Sequence, residues 1–148
     1  MSGADGRAPP PATERSSYRV WTSDTLRYGD MDPQRHVNNA VFSTFLESGR
    51  VSFLYDQDLA LRAEGCEFVI VHLTIDFRAE LRYPGTVDIG SRVLRIGRSS
   101  FTVGQGIFKG ERCAATAESV LVQLDTATRR PRTLSLPLVS WLRQHLAE

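Results

Sequence analysis

Lysine is almost missing from this sequence. Lys109 is the only one, and arginine supplies the rest of the positive charge. An anion site must therefore rest mainly on Arg side chains or backbone amides. Net charge is only +1, which gives no global field to hold nucleic acid or an anionic membrane. Cysteine is sparse as well. Cys66 and Cys113 stand far apart without CxxC spacing, so they predict reduced, small apolar side chains of a cytoplasmic protein. Three histidines with no clustered Cys or carboxylate partners predict no metal site. No apolar run approaches the length of a membrane span. No apolar core follows Arg7 and Arg15, so no signal peptide is expected.

What is present suits one domain. Residues 1–17 are rich in Gly, Ala, Pro and Ser, and that composition predicts a disordered tail. The folded domain is expected over 18–148. Tyr18, Val20, Leu26 and Tyr28 fall on even positions and predict a strand over 18–28. Gly29-Asp30 and Asp32-Pro33 end it in a loop. Asn38 or Asn39 can cap a helix running to Tyr55, along which Val41, Phe42, Phe45, Leu46, Gly49, Phe53 and Leu54 recur at helical spacing. Gly49 predicts close packing against a neighbouring backbone.

A polar connection over 56–67 comes next. Val69, Val71, Leu73, Ile75 and Phe77 then alternate with polar residues and predict a strand with one apolar face. Pro84-Gly85, Gly97-Arg98-Ser99-Ser100 and Lys109-Gly110-Glu111 punctuate three further strands, over 86–96, 101–108 and 112–125. Gly104 and Gly106 let something approach the sheet closely. Pro137 can open a short terminal helix whose apolar face is Leu138, Trp141, Leu142 and Leu146. Strands joined by short turns imply an antiparallel sheet. The fold class is thus α+β: five antiparallel strands wrapped around a long helix, with a short C-terminal helix.

The segment Arg27, Asp30, Asp32, His36-Val37-Asn38-Asn39, Phe42, Phe45, Glu47 and Arg50, in this element order, resembles the hotdog-fold acyl-CoA thioesterases of the 4-hydroxybenzoyl-CoA thioesterase superfamily. The likeness is to the branch with Asp before the central helix and an H-V-N-N sequence. It implies hydrolysis of acyl-CoA with no cofactor, in homodimers or homotetramers whose sites lie between subunits. The family's catalytic carboxylate falls on Asp32. A histidine that takes part in one subgroup is replaced here by Asn39.

Asp32 is then a general base or a nucleophile, although Asp before Pro33 equally suits an Asx-turn. The amides of Asn39, Ala40 and Val41, at the positive end of the helix dipole, are the expected oxyanion donors. Asn38 and Asn39 can cap the helix or hold water, and His36 can bond the loop or line the pocket. The resemblance puts His72 and Thr74 beside the acyl pocket, and Arg98, Ser99 and Ser100 against the CoA phosphates. Arg129, Arg130 and Arg132 form a basic loop, and Glu47 with Arg50 can pair on the helix. The alternatives are an acyl-carrier-protein thioesterase and a non-catalytic acyl-CoA-binding module; the hydratase motif of a dehydratase of the same fold is absent from the sequence.

Overall fold

A computed structural model describes residues 9, 11–55 and 61–147 of the chain. The elements are β1 (Val20–Thr25), α1 (Asn39–Tyr55), β2 (Cys66–Phe77), β3 (Thr86–Ile96), β4 (Ser100–Lys109), β5 (Arg112–Asp125) and α2 (Leu136–Gln144). The strands form one antiparallel five-stranded sheet in the order β1-β3-β4-β5-β2. The central strands carry the apolar run of β4, buried from Phe101 to Phe108, as a strand covered on both faces must. This is the hotdog arrangement that the resemblance implies. Among the described residues, no helix is long and apolar enough to cross a membrane.

The sheet curls around α1. Phe42, Phe45 and Leu46 pack with Ile89, Ile107 and Ala115 near the start of the helix. Phe53 and Leu54 pack with Val93, Phe101, Leu121 and Leu138 near its end. Gly49 faces the sheet between these groups. A Cβ there would lie 2.6 Å from both the Gln105 amide nitrogen and Ile89 Cγ2, so the glycine makes room for two side chains of the sheet rather than for the neighbouring backbone that the sequence predicts. Beside it lies a buried polar cluster: Gln105 donates to the Leu46 carbonyl and to Ser91, and Arg50 donates to Gln105. Burial pushes the Arg50 pKa down, with Glu47 opposing the shift.

Two local expectations change. The first strand is shorter than predicted. Arg27 N–H bonds the Asp30 carboxylate and Asp30 N–H bonds the Arg27 carbonyl, which turns Tyr28–Asp30 into a 3-10 helix. In β2, pairing skips Val71. The bulge breaks the alternation, so Phe68 and Leu73 lean towards the helix side while Val71 is exposed.

Two residues of the segment before β1 touch the sheet: Tyr18 Oη donates to the Ala12 carbonyl at 2.6 Å, and Arg15 donates to the Gly110 carbonyl and pairs with Asp88. The Arg15 guanidinium sits 4.4 Å from the Trp21 ring centroid, a cation–π contact. Tyr18 covers Gly90 and Gly106 on the sheet face opposite α1, so Gly106 makes room for this ring. Residues 1–8 and 10 lie outside the described residues, as do 56–60 of the predicted polar connection.

Candidate active site

Asp32 stands in the loop that feeds α1. Its N–H bonds the His36 carbonyl, and its own carbonyl accepts from Arg35 N–H, both at 2.9 Å. Arg35 closes this turn at φ 68°, a conformation that non-glycine residues seldom adopt. Val37 N–H bonds the Leu81 carbonyl at 2.7 Å, which ties the loop to the chain after β2.

The two Asp32 carboxylate oxygens differ. Oδ1 accepts from Gln34 N–H at 2.8 Å, the Asx-turn bond. Oδ2 faces His36 Nδ1 at 3.8 Å, and His36 Nε2 lies 3.9 Å from Glu80. The Asp32 and His36 side chains are both mostly covered.

Asn38 caps α1. Its Oδ1 accepts from Ala40 N–H and its backbone carbonyl from Val41 N–H, both at 2.9 Å. These bonds occupy two of the three expected oxyanion donors. The Asn39 N–H meets no acceptor among the described residues. Asp30 uses its carboxylate on Arg27 N–H and its carbonyl on Asn38 N–H, so it shapes the loop.

An open cleft of about 270 Å³ adjoins this turn, lined by His36, Val37, Asn39, Phe42, Phe77 and the Arg78–Glu80 segment. Phe42 and Phe77 meet edge to face at 5.1 Å and give it an apolar wall. His36 and Asn39 line this cleft, while Asp32 stands behind His36. One protomer thus gathers Asp32, His36, Asn38, Asn39, Ala40 and Val41. No group of three or more His, Cys, Asp or Glu suited to a metal ion occurs among the described residues.

Other expected site residues lie elsewhere. Leu73 and Ile75 pack on the helix side, so the alternating His72 and Thr74 face away from it. Thr74 lines a crevice with Tyr18, Asp76, Thr116 and Glu118. The Arg98–Ser100 hairpin belongs to the other end of the fold: the Arg98 carbonyl accepts from Leu134 N–H, and Arg98 Nε donates to Thr133. Arg129 pairs with Glu67 and Arg132 with Asp125, so the basic loop is partly neutralised where it stands. Thr128 and Ala127 amides and Arg132 hold the Asp125 carboxyl below its usual range. Sequence reasoning missed the wall made by Phe77 and Arg78–Glu80, because only the tie between Val37 and Leu81 brings it to the motif.

A model of the thioesterase-like superfamily matches residues 26–145. No curated protein matches the chain significantly. Among solved structures, the PA5185 protein of Pseudomonas aeruginosa superposes with TM-score 0.83 at 25% identity, over 95% of this chain and 99% of that one. YbaW, a probable thioesterase of Escherichia coli, gives 0.76 at 26% identity, over 86% and 99%. A Thermus thermophilus thioesterase complexed with coenzyme A and zinc gives 0.74 at 26% identity, over 85% and 98%.

Proposed function

Because the chain belongs to the thioesterase-like superfamily, we propose that it hydrolyses an acyl-CoA to the free acid and CoA. The observation that carries this reading is the meeting, at the α1 N-terminus, of a carboxylate oxygen outside the Asx-turn, a histidine and an open helix amide beside an apolar wall. The Thermus relative complexed with coenzyme A supports a CoA thioester over other thioesters.

In this mechanism Asp32 Oδ2 takes a proton from water as the water oxygen attacks the thioester carbonyl. The negative charge that develops on the carbonyl oxygen is met by the Asn39 N–H, aided by the helix dipole. The C–S bond then breaks and the proton passes to the departing CoA sulfur. Attack by Asp32 itself would give a mixed anhydride that water cleaves to the same products. The position of His36 between Asp32 and the cleft favours a second form, in which His36 abstracts the proton and Asp32 orients its ring.

The site is completed by a second copy. β2 is an edge strand, and Ile70, Val71 and Phe77 on it are exposed; Tyr55 of α1, also exposed, meets Phe68 of the same strand. Two-fold antiparallel pairing along β2 would pair this open edge and cover the apolar residues on it, next to the cleft wall that Phe77 forms. A homodimer is the minimal active unit, and two dimers can join as a tetramer.

Asp32→Asn keeps the shape and removes the base. With a panel of acyl-CoAs followed by thiol release, kcat falls about 100-fold or more while the fold, read by circular dichroism, is unchanged. A variant as fast as wild type on its best substrate overturns the reading. His36→Gln separates the two forms: it matches the Asp32→Asn loss if His36 abstracts the proton, and loses less than about tenfold if Asp32 acts directly.

A further inference from the structure

Next to the Asp32 cleft lies a second one, of about 500 Å³, lined by Arg78, Ala79, Glu80, Arg82, Lys109 and Arg112. Arg78, Ala79 and Glu80 line both clefts, so the two adjoin along this segment. Four cationic side chains and one carboxylate face this second part, on a chain whose net charge is only +1. Positive charge is therefore concentrated here.

Three of the four cations are not neutralised in place. Lys109, the single lysine, is held by two uncharged groups, the carbonyls of Arg82 at 2.7 Å and Pro84 at 2.8 Å. Arg78 donates through Nε to the Thr116 hydroxyl at 3.0 Å, which fixes the side chain and leaves its terminal nitrogens for another acceptor. Among the described residues, no carboxylate lies within ion-pair distance of Arg78, Lys109 or Arg112; Arg82 alone pairs, with Glu80 at 3.1 Å. A fixed guanidinium beside a held ammonium suits phosphate oxygens.

The expected phosphate site, the Arg98–Ser100 hairpin, packs with the Leu134 segment near the α1 C-terminus. A 17-residue helix is about 25 Å long, so that hairpin stands far from Asp32 of its own protomer. The new groove stands at the correct end.

We propose that Arg78, Arg82, Lys109 and Arg112 bind the 3′-phosphorylated ADP of a CoA thioester whose carbonyl lies at the Asp32 site of the same protomer. This rests on the thioesterase reading for the reacting end, but the groove is testable without turnover. The probe is adenosine 3′,5′-bisphosphate, titrated calorimetrically into the full chain and into the Arg82→Gln/Arg112→Gln double variant, both exposed positions.

Wild type binds the probe, and the double variant binds it at least tenfold more weakly. With an acyl-CoA, KM rises at least tenfold with kcat within twofold, whereas hydrolysis of the matching acyl-pantetheine, which lacks the nucleotide, is unchanged. Arg98→Gln alters neither measurement by more than twofold. Equal probe affinity in wild type and the double variant overturns the proposal, as does a loss seen only in Arg98→Gln. Turnover of an acyl carrier protein thioester that falls in the double variant, with no binding of the probe, overturns it in favour of an acidic carrier surface. Probe binding lost in the double variant, with no thioester hydrolysed by wild type, upholds the groove and removes the thioesterase reading instead.

Discussion

Asp32 and Tyr18 show how one side chain serves two purposes. Asp32 Oδ1 closes a turn on Gln34 and leaves Oδ2 towards His36. The motif marks Asp32 in the sequence, but Asp before Pro33 reads equally as a turn or a base, and the bond to Gln34 shows that it is a turn residue whatever its chemistry. Tyr18 fills the space over two glycines, and burial pushes its phenol pKa from 10.0 up to about 12, partly opposed by Arg92. Between those values the unfolded chain releases a proton that the folded chain keeps. Stability that is full below pH 10 is therefore lost as pH rises towards 12. Urea unfolding of wild type and Tyr18→Phe across that window should show wild type losing roughly 1–2 kcal/mol relative to the variant. Gly49→Ala should destabilise by about 1–3 kcal/mol in the same assay. The added Cβ meets Gln105 and Ile89 at 2.6 Å, which outweighs the gain of about 1 kcal/mol in helix propensity.

At the scale of elements, α1 ties packing to chemistry. Asn38 uses both of its acceptors on the amides of Ala40 and Val41, and by doing so leaves Asn39 as the open donor. Asn38→Ala should cost about 1 kcal/mol of stability in urea unfolding and lower kcat, while Asn38→Asp restores the cap and the stability. Helix α1 was legible because Phe42, Phe45, Phe53 and Leu54 keep a helical period that nothing interrupts. Leu73, Ile75 and Phe77 were legible as one strand face for the same reason. The bulge at Val71 was not, since Val71 is as good a strand residue as its neighbours and only the pairing with β5 skips it. The basic groove was also hidden: Arg78 and Arg82 follow one strand, Lys109 and Arg112 flank a distant turn, and the fold alone joins them.

For the whole molecule, the proposal of a two-copy site rests on the open edge of β2 and the exposed apolar residues on it. Val71→Asp places a charge on that edge without touching either core. Analytical ultracentrifugation should show monomers where wild type forms dimers, and thioester hydrolysis should fall at least tenfold with them. A monomeric wild type of full activity would refute the two-copy site. The contacts of the segment before β1 were beyond the reach of sequence reasoning, because the partners are remote: Arg15 bonds Gly110, 95 residues away. That segment also gives the molecule an optical signal. The chain has two tryptophans. Trp141 meets Phe53 edge to face and His145 at a tilt, with ring centroids 4.4 Å apart in each case, at the α2 end. Trp21 lies under Arg15 on the opposite face of the sheet. Release of the segment exposes the Trp21 indole to water and shifts its emission to the red, while Trp141 keeps its colour, so fluorescence of a Trp141→Phe chain reads the segment's docking directly.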